Sequence, residues 1–301
     1  MGRKLEPGSE PEPGIPFADT HCHVPWTEGK PHPSLPVADK QVADFGAAGG
    51  SFLITCSIDL ESTIACLEFS RRHDTVHFSC GMAAQTVTYT DATRYRKEYE
   101  QWTGLVEKNL DHIIAFGEIG LDFHHAKTLK KREEQVSELE RILAFIKPFN
   151  KPTVLHVRNA GPGDVDKKDK THPYNAPDAA TKTIVEILDR NGFDPSRVLF
   201  HCYSGPVSMN EELVRAGFWF SVPSSAFGFN RWAKVSKTLP LDRLVTETDA
   251  PFQHPTKMGP VNVPANARFS VAAIARARGI NEHEVGRATV ENAKGFFGIR
   301  I

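Results

Sequence analysis

Side chains able to bind a metal ion follow apolar runs at separate points along the chain. The first such stretch, "FADTHCHVP" (17–25), carries His21, Cys22 and His23 in consecutive positions. On an extended strand, positions i and i+2 share a face, so both histidines would point one way and Cys22 the other. An HxH pair is a weak signal alone, because such pairs also occur on surfaces and in structural roles. Four more donors follow later apolar runs, namely Glu118, His156, His201 and Asp249.

This set of donors suits divalent metal ions. Imidazole nitrogens and carboxylate oxygens together are typical ligands of zinc, manganese or another divalent transition metal. Six donors exceed what one catalytic ion with an open coordination position needs, whereas two ions sharing a bridging carboxylate would use them all. A metal pair can stabilise the attacking and the leaving oxygen of a phosphoryl displacement and can generate hydroxide near neutral pH. The residues therefore point to metal-dependent hydrolysis.

Short apolar segments must position these donors, and most are apolar throughout, as strands buried on both faces are. The predicted strands lie at 16–21, 51–57, 76–83, 113–122, 152–157, 197–203, 218–225 and 243–250. Helical patterns between and after them lie at 59–73, 131–149, 176–192, about 264–278 and 281–297. Eight strand–helix units predict an α/β fold, a (β/α)₈ TIM-like barrel, with a doubly wound open sheet as the competing architecture. A barrel requires catalytic residues at the C-terminal ends of several strands, where these donors stand.

Composition limits the class of protein. The chain has 301 residues with 40% hydrophobic and 24% charged residues and a formal net charge of −1, so no overall basic field indicates a nucleic-acid partner. Five cysteines without a CxxC pair do not suggest a disulfide framework. Neither a signal peptide nor a membrane-spanning run is visible, and nothing indicates an obligate protein partner. We expect a cytoplasmic protein with a flexible lead-in (1–16) and one barrel domain (17–301).

The motifs, taken in order, resemble the TatD family of metal-dependent hydrolases and deoxyribonucleases, within the amidohydrolase-like barrels. From residue 19 to the C-terminus they are "DTHCH", "GEIGLDF", "KPTVLHVRNA", "HCYSG", "ETDAPF", "NVPAN" and "TVENAKGFFG". The resemblance implies a TIM-like barrel that binds two divalent metal ions, with zinc, manganese and magnesium as candidates. It also implies phosphodiester hydrolysis, often as a 3′→5′ exonuclease, with a DNA single strand or 3′ end as substrate.

The same resemblance implies a role for each donor. Two histidines and an aspartate would hold the first ion, two further histidines the second, and a glutamate would bridge them. In that order the residues are His21, His23 and Asp249, then His156 and His201, then Glu118. Asp249 would also accept a proton from the attacking water. With Glu118 as the bridge between the ions, these two carboxylates are the expected catalytic residues. Arg158 would contact a phosphate oxygen through its guanidinium group.

Residues beside the donors have less defined roles. Asp122 and Glu247 are expected to orient ligand imidazoles from behind, although Asp122 could instead bind a third ion or cap its strand. His124 and His125 stand where the family commonly has an aromatic residue and an arginine, so they either contact substrate or are solvated loop residues. Cys202, like Cys22, should face away from the barrel mouth by strand alternation.

Two departures from the family pattern leave the substrate open. One is the pair His124 and His125, and the other is a long mixed-charge insert (161–177) that follows "LHVRNA" and would shape access to the mouth. An amidohydrolase-like enzyme acting on an aminoacyl-tRNA ester or a small phosphodiester is the alternative activity. Related branches that bridge their metals with a carboxylated lysine are disfavoured, because Glu118 occupies the end of the fourth strand. A metal-stabilised scaffold without activity is the third hypothesis.

Overall fold

Eight parallel strands form one sheet in which each strand pairs with its neighbours in sequence. The computed structural model describes residues 10–25, 35–161, 163–164, 169, 171–229, 231–256 and 261–300. The strands are β1 (Phe17–Cys22), β2 (Gly50–Cys56), β3 (Val76–Cys80), β4 (Ile113–Asp122), β5 (Thr153–Arg158), β6 (Val198–Phe200), β7 (Trp219–Pro223) and β8 (Leu244–Glu247). All eight predicted strands are present, with ends shifted by up to three residues.

The first and last strands approach each other and bring the sheet close to a closed barrel. Thr20 Oγ1 on β1 donates to the carbonyl of Thr246 on β8 at 3.0 Å, and Thr246 Oγ1 donates to the carbonyl of Ala18 at 2.8 Å. Cys22, the last residue of β1, forms a parallel bridge with Ala250, which lies beyond the end of β8. The architecture is therefore the predicted TIM-like barrel, and the open sheet is excluded.

Helices surround the barrel in the order expected for alternating strand–helix units. Within the described residues they are α1 (Leu35–Ala47), α2 (Leu60–Ser70), α3 (Ala84–Tyr89), α4 (Ala92–Lys108), α5 (Leu129–Ile146), α6 (Ala179–Arg190), α7 (Asn210–Ala216), α8 (Arg231–Thr238), α9 (Ala267–Arg278) and α10 (Glu282–Phe297). Helix α5 starts two residues earlier than predicted because Thr128 caps it, accepting a hydrogen bond from the amide of Lys131. None of these helices combines the length and apolar character needed to cross a bilayer.

The interior of the barrel is apolar below the donors. One cluster of buried side chains contains residues from six strands and from α10. Its strand residues lie inside the barrel. Its strand members are Ala18, Phe52, Ile54, Cys56, Ala115, Val154, Leu199 and Val245. A larger cluster packs the outer faces of the strands against the helices. Both faces of the sheet are therefore buried, which explains the continuous apolar runs in the sequence.

Two glycines let neighbouring strands come close beside the donors. A Cβ atom at Gly81, after β3, would overlap the backbone of Glu118. Gly120 on β4 has a φ of +148°, and a Cβ atom there would overlap the carbonyl of His156 on β5. Glycine is thus required where β4 carries Glu118 between its two neighbouring strands.

The structure also describes part of the predicted lead-in and of the insert. The amide of Glu12 donates to Glu282 on α10 at 2.8 Å, and Ile15 is buried against the barrel. The boundary at residue 16 stays a prediction. In the insert, Asp164 is described, whereas residues 162, 165–168 and 170 lie outside the described residues.

Candidate metal centre

The first histidine pair faces two carboxylates at the mouth of the barrel. Nε2 of His21 lies 3.4 Å from Oε2 of Glu118 and 3.7 Å from Oδ1 of Asp249. Nε2 of His23 lies 3.5 Å and 3.4 Å from the same two oxygens. Cys22 points elsewhere, with its Sγ 3.4 Å from the carbonyl of Ile54. The two ring nitrogens and two oxygens therefore surround a common point that Cys22 does not reach.

The second histidine pair faces the other oxygen of the same glutamate. Nδ1 of His156 lies 2.8 Å and Nε2 of His201 lies 3.8 Å from Oε1 of Glu118. These two ring nitrogens are 3.2 Å apart. Glu118, whose side chain is 6% exposed, thus presents one oxygen to each histidine pair. The structure brings the four predicted histidines together around this carboxylate, with Asp249 against the first pair.

Asp249 reaches the centre from a loop, which corrects one expectation from the sequence. Strand β8 ends at Glu247, and Asp249 adopts a φ of +58°, in the left-handed region. Its amide donates to the carbonyl of His21 at 2.8 Å. The predicted strand over 243–250 therefore ends too early for Glu247 and Asp249 to share one of its faces. Glu247 instead accepts a 2.5 Å hydrogen bond from Ser221 and lies 3.5 Å from Nδ1 of His201, behind that ring.

Asp122 orients His156 from the side away from Glu118. Its Oδ2 lies 3.1 Å from Nε2 of His156, accepts from Nε2 of Gln85 at 2.9 Å and lies 2.7 Å from Nδ1 of His125. The carboxylate therefore fixes the His156 ring with Nδ1 toward the centre. Gln85, which lies in none of the sequence motifs, belongs to the same network.

Cys56, which lies in none of the sequence motifs, contacts both histidines of the HxH pair. Nδ1 of His23 donates to the carbonyl of Cys56 at 2.9 Å, and Nδ1 of His21 lies 3.3 Å from the Cys56 Sγ. Both rings are thereby turned so that Nε2 faces the carboxylates. Sequence reasoning missed Cys56 because it ends an apolar strand like any buried small residue.

A cavity of about 440 Å³ opens above the donors. Its wall includes Arg158, at the exposed end of β5, and His125, whereas His124 lies 2.6 Å from Oδ2 of Asp164 through its Nδ1. Cys202 also lines this cavity and corrects the expectation that it faces away. Because β6 ends at Phe200 and Cys202 has a φ of +45°, alternation does not extend to it.

Charge pairing dominates the electrostatics of the centre. Burial alone would lower the pKa of His23, but its contact with Asp249 and the charge of Glu118 raise it to about 9. Burial acts in the same way on His156, yet Glu118 and Asp122 raise its pKa to about 10. The reverse holds for Glu118, where burial favours the neutral acid but His156 and His21 bring the pKa well below its usual range. Positive charge is therefore required beside these carboxylates.

A divalent cation meets that requirement better than protons do. Nε2 of His21 is buried and has no hydrogen-bond partner among the described residues, which is costly unless a ligand satisfies it. Imidazole nitrogens and carboxylate oxygens within 4.8 Å of one another form three overlapping groups that could hold an ion. They are His21, His23 and Glu118; His21, His201 and Glu247; and Glu118, His156 and His201. The residues present fit metal ions in chemistry and in placement.

Comparison with known proteins places the chain in a family. The family model described as TatD related DNase matches residues 18–298. The chain belongs to the TatD family. A human protein named deoxyribonuclease TATDN3 is 33% identical to this TatD chain over 195 residues, 64% of the chain. That match spans 63% of the human protein, and the match to its mouse counterpart spans 57% of the mouse protein.

More distant relatives match this TatD protein over nearly its whole length. A metal-dependent hydrolase of Methanocaldococcus jannaschii is 24% identical over 95% of the chain and 99% of its own length. The solved structure of the TatD homolog YJJV from Escherichia coli superposes with a TM-score of 0.74 at 23% identity, covering 94% of this chain and 98% of that one. The similarity to the Escherichia coli structure supports the assignment of the barrel fold.

Metal binding by this TatD protein should compete with protons. His23 and His156, with pKa values of about 9 and about 10, must lose their protons before they can bind an ion. We therefore expect zinc or manganese affinity to rise between about pH 6 and about pH 9, with a net release of protons on binding at neutral pH. Calorimetry in buffers of different ionisation enthalpy measures both quantities. An affinity that stays flat over this range, with no proton release, would contradict the assignment.

The support from Cys56 can be tested by removing its side chain alone. Cys56→Ala deletes the sulfur next to His21 but keeps the carbonyl that holds His23, so we expect metal affinity to fall about tenfold. Cys56→Ser, which retains an acceptor, should recover most of it. Cys80→Ala is the matched control, a buried cysteine on β3, and should keep wild-type affinity. Equal affinities for the Cys56→Ala and Cys80→Ala proteins, measured by competition with a chelator, would show that Cys56 does not position His21.

Proposed function

We propose that this TatD-family protein is a divalent-metal-dependent hydrolase that cleaves phosphodiester bonds in DNA, acting as a 3′→5′ exodeoxyribonuclease with two metal ions. The observation that carries the proposal is the placement of Glu118, which turns one oxygen to each of two histidine pairs. The names of the human and archaeal relatives, a deoxyribonuclease and a metal-dependent hydrolase, support the same class of reaction.

The donors divide naturally between two ions. His21, His23 and Asp249 would hold one ion, His156 and His201 the other, and Glu118 would bridge them. When bound, the metal pair supplies Lewis acidity at the phosphoryl group and makes hydroxide available near neutral pH. The cavity above leaves both positions open to substrate, which a purely structural site would not need.

Asp249 is suited to accept the proton of the attacking water. Burial would favour its neutral form, but contact with His23 and the charge of His201 lower its pKa, so it is ionised at neutral pH. Its side chain is 12% exposed, toward the cavity that substrate would enter. A carboxylate that is ionised, oriented and reachable meets the requirements of a general base.

Arg158 is the cation on the cavity wall that can meet a phosphate oxygen. It ends β5 two residues after His156, and its side chain is exposed to solvent. A guanidinium group offers paired N–H donors that match phosphate geometry. The predicted contacts of His124 and His125 with substrate remain proposals, since His125 lies on the cavity wall and His124 is engaged by Asp164.

The depth of the centre favours a strand end over an internal bond. His21 is fully buried and Glu118 is 4% exposed, so a scissile phosphate must enter the cavity to reach them. A terminal nucleotide of a flexible single strand can do so, whereas a stiff duplex cannot bend its interior into a cavity of about 440 Å³. This geometry supports exonuclease action.

The proposal predicts that Glu118→Gln abolishes turnover without unfolding the protein. The amide keeps the size of the side chain but removes the charge that both histidine pairs face, so we expect cleavage of 3′-labelled single-stranded DNA with manganese to fall by at least about a thousandfold. Gel analysis of labelled products gives the rate and shows whether nucleotides leave one at a time from the 3′ end.

Controls separate loss of chemistry from loss of fold or a different substrate. Glu107→Gln, on the exposed surface of α4, should leave the rate unchanged. A small activated phosphodiester serves as a parallel substrate for the alternative activity. Wild-type protein that binds manganese yet cleaves no DNA would contradict the nuclease assignment, and retained DNA cleavage by Glu118→Gln would contradict the bridging role.

A further inference from the structure

A second charged cavity lies at the opposite end of the barrel. It has a volume of about 170 Å³, and its basic lining residues are Lys147, Lys151 and Arg197. Lys147 follows α5, Lys151 lies two residues before β5, and Arg197 immediately precedes β6. The donors of the metal centre stand at the other ends of β5 and β6, at His156 and His201. The barrel therefore separates this basal cavity from the mouth.

Among the described residues, the three cations of the basal cavity form no ion pair. Within the described part of the chain, no carboxylate lies at ion-pair distance from Lys147, Lys151 or Arg197. Asp194 also lines the cavity, but its Oδ1 accepts a hydrogen bond from the amide of Ser196 at 2.9 Å. The lining carries three positive formal charges and one negative, so an excess of positive charge faces the cavity.

Neutral carbonyl groups hold two of these cations in place. Nζ of Lys147 donates to the carbonyl of Asn191, and Nη2 of Arg197 donates to the carbonyl of Asn150 at 2.7 Å. These contacts order the side chains without neutralising their charge, and both groups retain further N–H donors. Nε of Arg197 is buried with no hydrogen-bond partner in the described structure, so an oxyanion in the cavity would be met by the remaining N–H groups of Arg197 and by the two ammonium groups.

The surrounding backbone keeps space around Lys147. Gly192 has a φ of +63°, and a Cβ atom there would come within 3.3 Å of the Lys147 Nζ. Burial also lowers the pKa of Lys151, although the charge of Asp111 acts in the opposite direction. Lys151 is therefore partly desolvated, whereas Lys147 is exposed, and a partly desolvated cation binds an anion more strongly than an exposed one.

We propose that the basal cavity binds a terminal phosphate group, from inorganic phosphate or from a mononucleotide. A guanidinium fork with two ammonium groups matches a doubly charged tetrahedral oxyanion. A single carboxylate would leave part of the positive charge unpaired. The site is independent of hydrolysis at the mouth, and its ligand would bind without being cleaved.

The test uses the metal-loaded, isotopically labelled protein and two ligands. Inorganic phosphate or adenosine 5′-monophosphate is titrated against sodium chloride of equal ionic strength while backbone amide resonances are followed by NMR. We expect saturable shifts at Asn150, Gly192 and Phe193 with phosphate. Tighter binding of the nucleotide would name it as the source of the phosphate, and equal affinities would name the phosphate group alone. Shifts confined to the mouth, around Arg158 and Cys202, would overturn the proposal.

Charge-removing variants give an independent readout. Lys151→Gln combined with Arg197→Gln should weaken phosphate binding at the basal cavity about tenfold or more and leave metal content and DNA cleavage unchanged. Lys108→Gln, an exposed lysine at the end of α4, is the matched control and should bind phosphate as the wild type does. Equal affinities of the double variant and the control would refute the site. If the double variant does not fold, Lys147→Gln replaces it, and the wild-type titration remains decisive.

Discussion

The buried charge of Glu118 is the constraint on which the rest of the mouth depends. A carboxylate this deeply buried is stable only when cations or hydrogen-bond donors surround it, and removing the partner of a buried charge typically costs about 3–5 kcal/mol. Four histidines supply those partners, two on each oxygen. The histidine rings are oriented by contacts on the sides that face away from Glu118. Cys56 contacts His23, Asp122 contacts His156, and Glu247 contacts His201.

The junction between β1 and β8 brings the HxH pair and Asp249 to the same point. The amide of Asp249 donates to the carbonyl of His21 at 2.8 Å, and the amide of His23 donates to the carbonyl of Ala250 at 2.7 Å. Below them, Asp19 accepts hydrogen bonds from the amide and the hydroxyl of Thr248 at 2.9 Å and 2.5 Å. Closing the barrel therefore also brings together His21, His23 and Asp249, one part of the candidate metal centre. Fold stability and ligand geometry are coupled at this junction.

The sequence predicted the strands of the barrel more fully than the backbone conformation of the residues that follow them. Apolar runs followed by polar residues identified all eight strands and the six side chains that the structure brings together at the mouth, because strands buried on both faces carry polar groups only where they emerge. Alternation succeeded for Cys22, which lies on β1, and failed for Cys202 and Asp249, which follow strand ends in left-handed backbone conformations. Cys56 and Gln85 could not be found from sequence, because a supporting contact across strands leaves no local pattern.

Anomalous scattering from crystals of the manganese-loaded protein locates each ion independently of the protein. If Glu118 bridges two ions, two anomalous peaks are expected, one between Oε2 of Glu118 and His21, His23 and Asp249, the other between Oε1 of Glu118 and His156 and His201. A single peak at saturating manganese, or two peaks that do not share Glu118, would contradict this arrangement.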